Sequence, residues 1–125
     1  MRKQYHLSAA EDGFDAWDVD RLVELVREVP TVDLPLVEIR ELDEDYWFGA
    51  GDNPTVRSVV EHWELSREVD LSYPIVVDPA GRVMDGMHRV ARALMDGSTT
   101  VRAKRLPSMP APDFTGVRDP NELPY

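Results

Sequence analysis

The chain has no cysteine and no long apolar run. With none of its 125 residues a cysteine, it has no disulfide, no thiol nucleophile and no thiolate ligand for a metal. No apolar stretch approaches the length of a transmembrane helix. The residues after Met1-Arg2-Lys3 include Gln4, His6, Glu11 and Asp12, which leaves no apolar core for a signal peptide. These absences predict a cytoplasmic protein that does not contact a membrane.

Positive charge is also scarce. The chain has 14 Lys and Arg against 24 Asp and Glu, a net charge of -10. Because duplex affinity comes largely from Lys and Arg displacing condensed counterions, we expect no specific DNA binding. Residues 80–105 nevertheless carry a net charge of +4, and the remaining residues carry -14. A small basic region in an otherwise acidic chain favours a small anionic ligand. The alternative is that these arginines lie on solvent-exposed faces of strands and helices.

Histidine, the usual ligand of transition metals, occurs three times. His6, His62 and His88 fall in different predicted elements, and His6 has no companion at metal-ligand spacing. We therefore expect no dedicated transition-metal site.

Apolar spacing in the first forty residues predicts an edge strand, a helix and an extended segment. Lys3 to Leu7 predict the strand, and residues 8–14 predict a loop. Asp15 or Asp18 can cap the helix, and Pro30 ends it. Its buried face has the i, i+3, i+4, i+7 spacing of Val19, Leu22, Val23 and Val26. Val32 to Ile39 are expected to be extended, with Pro35 at a sheet edge or at an irregular start of the strand.

The middle of the chain predicts an acidic loop followed by a second helix. Residues 38–45 hold five carboxylates, and Tyr46-Trp47-Phe48 and the breaker run of residues 49–54 follow. Asn53 as cap and Pro54 at the first helical position predict a helix to about Glu68. Its expected buried stripe is Val56, Val59, Val60 and Trp63. A separate, partly polar stripe that could line a site is Thr55, Ser58 and His62.

The next segment predicts a hairpin, a third helix and a closing strand. Tyr73 to Val77 form the first strand, residues 78–81 the turn, and Arg82 to Met84 the return. The helix runs from Gly86 to Asp96, Gly97 ends it, and residues 99–106 are β-rich. Its expected buried positions are Met87, Val90, Ala91 and Leu94.

Proline dominates the end of the chain. Five prolines in the eighteen residues before Tyr125 argue against regular structure. The predicted organisation is one domain over residues 1–106 and a proline-rich tail over residues 107–125. Removing the tail is expected to leave the domain folded, unless Phe114 or Tyr125 docks on the core.

The junction Asp85-Gly86-Met87-His88-Arg89 is the strongest candidate site. A helix start leaves backbone N–H groups without partners at the positive end of the dipole, which suits phosphate. Arg89 can make paired bonds to a phosphate or an ion pair with a carboxylate, and His88 can donate to phosphate, move a proton or pack on the sheet. Asp85 can cap the helix, hold Mg²⁺ or orient an acceptor hydroxyl.

Other candidates lie outside this junction. Trp47 can stack on a base or plug the core, and Arg57 and His62 can reach the same cleft from the second helix. A kinase reaction would also require a second carboxylate as base or metal partner. The candidates for this second carboxylate are Glu41, Asp43, Glu44 and Asp45. This acidic run can equally be a solvated loop.

The order of elements and the Asp-Gly-x-His-Arg junction resemble the ParB/sulfiredoxin superfamily. The resemblance is best over residues 34–106 and is most specific over residues 74–97. It implies an α+β fold with a small mixed sheet and surrounding helices. It also implies a phosphate- or nucleotide-binding role for Gly86, Met87, His88 and Arg89, with ATP, ADP or CTP and Mg²⁺ as the expected ligands.

Comparison with individual branches narrows the expected activity. Met87 stands where sulfiredoxins carry cysteine, which excludes sulfinic acid reduction. The ParB Gly-Glu-Arg-Arg motif is absent as well. Free serine kinases carry Asp-Gly-His-His-Arg, which residues 85–89 match at four of five positions. The resemblance implies a phosphotransferase acting on a small hydroxyl compound, or a nucleotide hydrolase, with Asp85 and His88 catalytic. The alternative is a non-catalytic regulatory module that binds a protein partner.

Overall fold

The computed structural model describes residues 3–49 and 53–125. Within them the chain folds as α+β, with strands β1 (Tyr5–Ala9), β2 (Phe14–Asp18), β3 (Val32–Pro35), β4 (Ile75–Val77), β5 (Val83–Asp85), β6 (Thr100–Arg105) and β7 (Phe114–Val117). The helices are α1 (Val19–Leu25), α2 (Val56–Glu68) and α3 (Met87–Met95). Short 3-10 turns cover Leu36–Glu38, Arg40–Asp43 and Pro120–Glu122. None of the described helices is long and apolar enough to cross a membrane.

The strands form two sheets. The larger sheet has the order β3-β6-β4-β5, in which β4 and β6 are parallel and the other pairs are antiparallel. This mixed arrangement follows from the chain path, since α3 carries the chain from β5 back to β6, beside β4. The smaller sheet is antiparallel with the order β1-β2-β7. Pro35 lies on the edge strand β3, as predicted, where its missing N–H is tolerated.

Three groups of buried apolar side chains hold these elements together. The largest lies between the mixed sheet and α3 and includes Ile75, Val77, Val83, Met87 and Val90. A second group packs α1 on the other side of that sheet, through Leu22, Val26, Val76, Met84 and Leu106. The third is the small core of the β1-β2-β7 sheet, with Ala16, Val117 and Leu123.

The secondary structure predicted for the N-terminal residues is only partly correct. Residues 8–14 are not simply a loop, because β1 extends through Ala9 and β2 begins at Phe14. Strand β2 was not predicted. Asp18 rather than Asp15 caps α1, since its carboxylate accepts the N–H of Asp20 at 2.9 Å. The helix ends at Leu25, well before Pro30, and Val23 is half exposed.

Helix α2 turns the opposite face to the protein from the one predicted. Its N-cap is Thr55, not Asn53, and Thr55 and Ser58 form a reciprocal capping box. The predicted buried stripe is wrong, with Val56 83%, Val59 51%, Val60 49% and Trp63 51% exposed. The side turned inward carries Ser58, His62 and Ser66, of which Ser66 is fully buried. Residues 50–52 of the predicted breaker run lie outside the described residues.

The third helix and the tail differ from prediction in what they bury. In α3 the inward residues are Met87, Val90 and Ala93, whereas Leu94 is 55% exposed and Ala91 only partly buried. Gly97 follows the helix at a φ of +74°, as a helix-ending glycine should.

The prediction of no regular structure after Leu106 is wrong. Strand β7 pairs with β2, and the Trp17 indole N–H donates to the Pro110 carbonyl at 2.9 Å. Phe114 and Tyr125 both meet the ring of Tyr5 edge-on, at centroid distances of 5.9 and 5.3 Å. Residues 107–125 therefore form part of the small sheet and its core.

Candidate functional site

The junction of β5 and α3 depends on the backbone of Gly86. This residue is the N-cap of α3 at a φ of +103°, a conformation that residues with a side chain rarely adopt. An added Cβ would also lie only 2.7 Å from Ile75 Cγ2. Since glycine has no side chain, it supplies no side-chain cap. The Arg89 N–H donates to the Gly86 carbonyl at 2.9 Å, so the first-turn N–H groups available to an acceptor from outside are those of Met87 and His88.

Arg89 holds the junction to the preceding loop. Its Nη2 donates to Asp85 Oδ2 at 2.9 Å, and its Nη1 donates to the carbonyls of Tyr73 and Pro74 at 3.0 and 2.8 Å. Both charged side chains are largely buried. In this arrangement the guanidinium satisfies three oxygen atoms of the protein itself, so Arg89 fixes the position of Asp85 and of the helix start.

Two clefts meet at this junction. The first, about 1040 Å³, lies between β1, the loop of residues 44–47 and β5. The second, about 720 Å³, lies between α1, the loop of residues 69–74 and β5. Asp85, Gly86, Met87 and His88 line both clefts, and Arg89 lines the second. Of the four residues predicted to bind phosphate, Gly86, Met87 and His88 therefore border both clefts and Arg89 borders one.

His88 belongs to a stacked group of aromatic side chains. Its Nε2 lies 2.9 Å from His62 Nδ1, a hydrogen bond in which one nitrogen donates and the other accepts. The indole of Trp47 stacks on both imidazoles, with centroid distances of 4.4 Å to His62 and 4.9 Å to His88. Phe48 meets His62 edge-on at 5.4 Å. One indole face thus covers two imidazoles and fixes His88 beside the helix start.

The surroundings of the two imidazoles in this group favour their neutral form. Burial lowers the pKa of His62 and of His88, and the neighbouring His62 lowers the pKa of His88 further. The pKa of His6, which faces the first cleft from β1, is also lowered by burial, although Asp78 and Asp85 oppose the shift. Near neutral pH His88 is therefore suited to sharing a proton with a ligand oxygen.

We predict that the protein loses stability as the pH falls from about 7 to 5. A histidine whose folded pKa lies below the unfolded value of about 6.5 takes up a proton in the unfolded chain first, so protonation favours unfolding in this window. The free energy of unfolding should be followed by urea titration at several pH values. His62→Gln should reduce the loss more than His6→Gln, because it removes one lowered pKa and the partner that lowers another.

Titration of carboxylates does not contribute to the change in unfolding free energy between pH 7 and pH 5. The pKa values of Asp18 and Glu44 are lowered by their hydrogen bonds to Lys3 and Arg82, and that of Asp70 by its bonds to Ser72. Stability from these groups is lost only as the pH falls below about 5. A free energy of unfolding that stays constant from pH 7 to pH 5 would show that the imidazoles do not titrate differently in the folded protein.

The acidic run contributes one carboxylate to the interior. Glu41 is only 3% exposed, and its Oε2 accepts the N–H of Val83 at 2.6 Å. Its Oε1 is buried and has no hydrogen-bond partner among the described residues. The sequence selected no member of the run, but Glu41 lies between Ile39 and Leu42, which both contact the core. That position is the signal that could have identified it.

The remaining predicted residues divide between the site and the surface. Trp47 lines the first cleft, and His62 reaches the site through His88 and Trp47. Arg57 lies on the exposed side of α2 and lines neither cleft. Tyr46, which was not singled out, lines the first cleft, and burial together with the charges of Glu41 and Asp85 raises its pKa to about 12. Its hydroxyl therefore keeps its proton at neutral pH.

The described residues contain no group of three or more His, Asp or Glu side chains arranged to hold a metal ion. Mg²⁺ bound together with phosphate would need fewer protein ligands, because one or two carboxylates suffice when phosphate oxygens complete the shell. Asp85 can fill that role through its other oxygen, Oδ1, because its Oδ2 already accepts a hydrogen bond from Arg89.

Comparisons of this chain with protein-family models, curated proteins and solved structures gave no match.

Proposed function

We propose that this protein binds a small phosphate-bearing ligand at the start of α3. The observation that carries the proposal is the helix start itself, which no side chain caps and which opens where the two clefts meet. Backbone N–H groups of the first turn would bind the phosphate, and His88 would add a side-chain hydrogen bond. Arg89, engaged with Asp85 and two carbonyls, would position the helix start and make no direct phosphate contact.

The ligand we propose is a nucleotide, the class implied by the resemblance to the ParB/sulfiredoxin superfamily, whose fold we propose for this chain. The charged side chains of the first cleft are Lys3 and Arg82 against Glu41, Glu44, Asp45, Asp78 and Asp85. Such an acidic lining repels a bare polyphosphate. Mg²⁺ carried with the nucleotide would remove this repulsion, and Asp85 is the carboxylate nearest the helix start that would hold it.

A reaction that this arrangement supports is phosphoryl transfer to a small hydroxyl compound. In that reaction the bond from the terminal phosphorus to the bridging oxygen of the leaving nucleotide breaks, and the acceptor oxygen forms the new bond to phosphorus. The acceptor proton would pass to a nearby base, for which Asp85 and the neutral His88 are the candidates. Bound Mg²⁺ would supply neutralisation of the developing phosphate charge.

We expect ATP, ADP or CTP with Mg²⁺ to raise the melting temperature of the protein, because a ligand selective for the folded state stabilises it. In calorimetry, His88→Gln should weaken the best nucleotide about tenfold or more, as expected for loss of a hydrogen bond to a charged group. His62→Gln is the matched control. It breaks the same imidazole pair, but His62 lines neither cleft, so binding should change little.

Two results would contradict this proposal. If the parent protein binds no nucleotide or inorganic phosphate, the start of α3 is not an anion site. If His62→Gln and His88→Gln weaken binding equally, the effect comes from the integrity of the imidazole pair and not from a contact between His88 and the ligand.

A second candidate function is favoured by the outer face of α2. Val56, Val59, Val60 and Trp63 are at least about half exposed and lie on one side of the helix. Exposed apolar side chains grouped in this way are typical of protein-interaction surfaces. The second candidate is therefore a regulatory module that binds a protein partner through α2. Size-exclusion measurements that show a partner lost on Trp63→Ser, with nucleotide binding unaffected, would support it.

A further inference from the structure

The outer face of α2 carries an apolar stripe with opposite charges near its two ends. The stripe consists of side chains at i, i+3, i+4 and i+7 that are about half exposed or more: Val56, Val59, Val60 and Trp63. Arg57 and Glu64 are seven residues apart, so both lie on the same flank of the stripe. Arg57 has no ion-pair partner among residues 3–49 and 53–125, and the Glu64 side chain is 53% exposed. A partner that binds this face must therefore cover apolar side chains and match a positive charge at one end and a negative charge at the other.

A second copy of α2, packed antiparallel, has the charges in the required order. A two-fold axis beside Val60 sets the start of one helix against the end of the other. Because the rise is about 1.5 Å per residue, Arg57 lies about 5 Å before this axis and Glu64 about 5 Å after it. Each Arg57 then faces the partner's Glu64, which gives two equivalent ion pairs. A partner helix of one charge sign would instead place a like charge opposite Arg57 or Glu64.

We infer that two copies of this protein associate through α2, with the two helices antiparallel and Trp63 and the valines between them. Arg57, which lines neither cleft, thereby has a role in recognition between the copies. Glu64 pairs with Arg67 of its own helix through Oε1 at 3.4 Å, so its Oε2 is available to the partner's Arg57. The inference names the partner of the α2 surface and rests on the second candidate function. It is independent of ligand binding at the start of α3.

The size of α2 and the net charge of the chain limit the strength of this association. A stable interface buries about 800 Å² per partner, more than one face of a helix about 20 Å long presents. Each copy carries a net charge of -10, although at physiological salt this repulsion is screened beyond about 8 Å. The expected dissociation constant of the dimer therefore lies between about 10 µM and about 1 mM.

Sedimentation equilibrium of the parent protein is the first test. The weight-average mass should rise from 14.2 kDa towards twice that value as the concentration increases from about 10 µM to about 1 mM. Val60→Glu places two like charges beside the axis and should keep the protein monomeric over this range. Val37→Glu makes the same change on a side chain that is 94% exposed outside α2, and it should leave the association unchanged. A parent that stays monomeric, or equal effects of the two variants, would overturn the inference.

A charge exchange tests the antiparallel arrangement. Arg57→Glu alone, or Glu64→Arg alone, converts both ion pairs of the dimer into like-charge pairs and should raise the dissociation constant about tenfold. The double variant restores both pairs with the signs reversed, so its dissociation constant should return close to that of the parent. In a parallel dimer each position would face itself, and the single variants would leave the repulsion unchanged. Single variants without effect, or a double variant that associates no better than they do, would contradict the inference.

These tests separate the inference from both proposed functions. Val60 lines neither cleft, so nucleotide titrations on Val60→Glu report on the start of α3 alone. A parent that dimerises as described but binds no nucleotide or phosphate would contradict the phosphate-binding proposal and leave the dimer standing. A parent that stays monomeric but loses a different protein partner on Trp63→Ser would contradict the inference and leave the second candidate function standing.

Discussion

Deleting residues 107–125 is expected to remove cooperative folding. The deletion takes away Val117 and Leu123, both buried, and the acceptor of the Trp17 indole N–H. Burial of the two apolar side chains alone contributes about 3–6 kcal/mol. Because native proteins are stable by only about 5–15 kcal/mol, this loss is a large part of the total. The measurement is the urea or thermal unfolding of the truncated chain beside the parent.

Point substitutions in the full chain supply the control for this deletion. Val117→Ala should lower the free energy of unfolding by about 1–2 kcal/mol, since it removes two buried methyl groups. Val37→Ala removes the same atoms from a side chain that is 94% exposed, and it should have almost no effect. A truncated chain that melts cooperatively at the parent temperature would show that β7 and the residues around it are dispensable.

Gly86→Ala is expected to be the most damaging single substitution at the site. Any side chain at a φ of +103° costs about 1–2 kcal/mol, and here the new methyl group would also lie 2.7 Å from Ile75 Cγ2. The start of α3 must then move away from β4, which displaces the N–H groups that we propose bind phosphate. We expect a loss of stability well above 2 kcal/mol, measured by urea titration, and loss of nucleotide binding, measured by calorimetry.

Gly97→Ala is the matched control for Gly86→Ala. Gly97 also has a positive φ, +74°, but an added Cβ would have no atom within 4 Å. Only the backbone cost of about 1–2 kcal/mol should therefore appear, without any effect on ligand binding. If the two glycine variants lose the same stability, the close approach of Gly86 to Ile75 does not constrain the helix start.

The part of the fold that could be predicted from the sequence is the part with local signals. The β4 to β5 hairpin was predicted because Asp78 and Gly81 form a turn, in which Asp78 Oδ1 accepts the N–H groups of Ala80 and Arg82. Gly86 and Gly97 marked the two ends of α3. Strand β2 was missed although it forms a local hairpin with β1, because Asp15 and Asp18 were interpreted as candidate helix caps. Strand β7 was missed because it lies between Pro112 and Pro120 in the proline-rich segment.

Helix α2 shows why apolar spacing alone was misleading. The spacing of Val56, Val59, Val60 and Trp63 indicates one apolar face but does not say that this face is buried. The helix instead packs towards α3 through its polar side, where His62 bonds His88 and Ser66 Oγ bonds the His62 carbonyl. Because each of these polar groups has a hydrogen-bond partner, burying this polar face of the helix costs little free energy.

The sequence predicted where the helix start of the candidate site lies, but not the contacts around it. Residues 85–89 do lie together at a helix start beside two clefts. The pairing of Asp85 with Arg89 could have been expected from their separation of four residues, although Asp85 lies just before the helix. The stacking of Trp47 on two imidazoles from different helices could not have been predicted, because no local sequence pattern relates the three residues.

The small sheet sets the order in which the protein can assemble. The Trp17 to Pro110 bond joins residues 93 positions apart, and closing so long a loop delays the contact until much of the chain is already fixed. The hairpin of β4 and β5 and helix α3 need only short-range contacts and can form earlier. Since Met109 and Tyr125 line the first cleft, the part of its wall that they form is completed late in folding. A ligand that spans the cleft would then slow unfolding, because this last-formed wall must open first. The unfolding rate is therefore the kinetic measurement most sensitive to ligand binding.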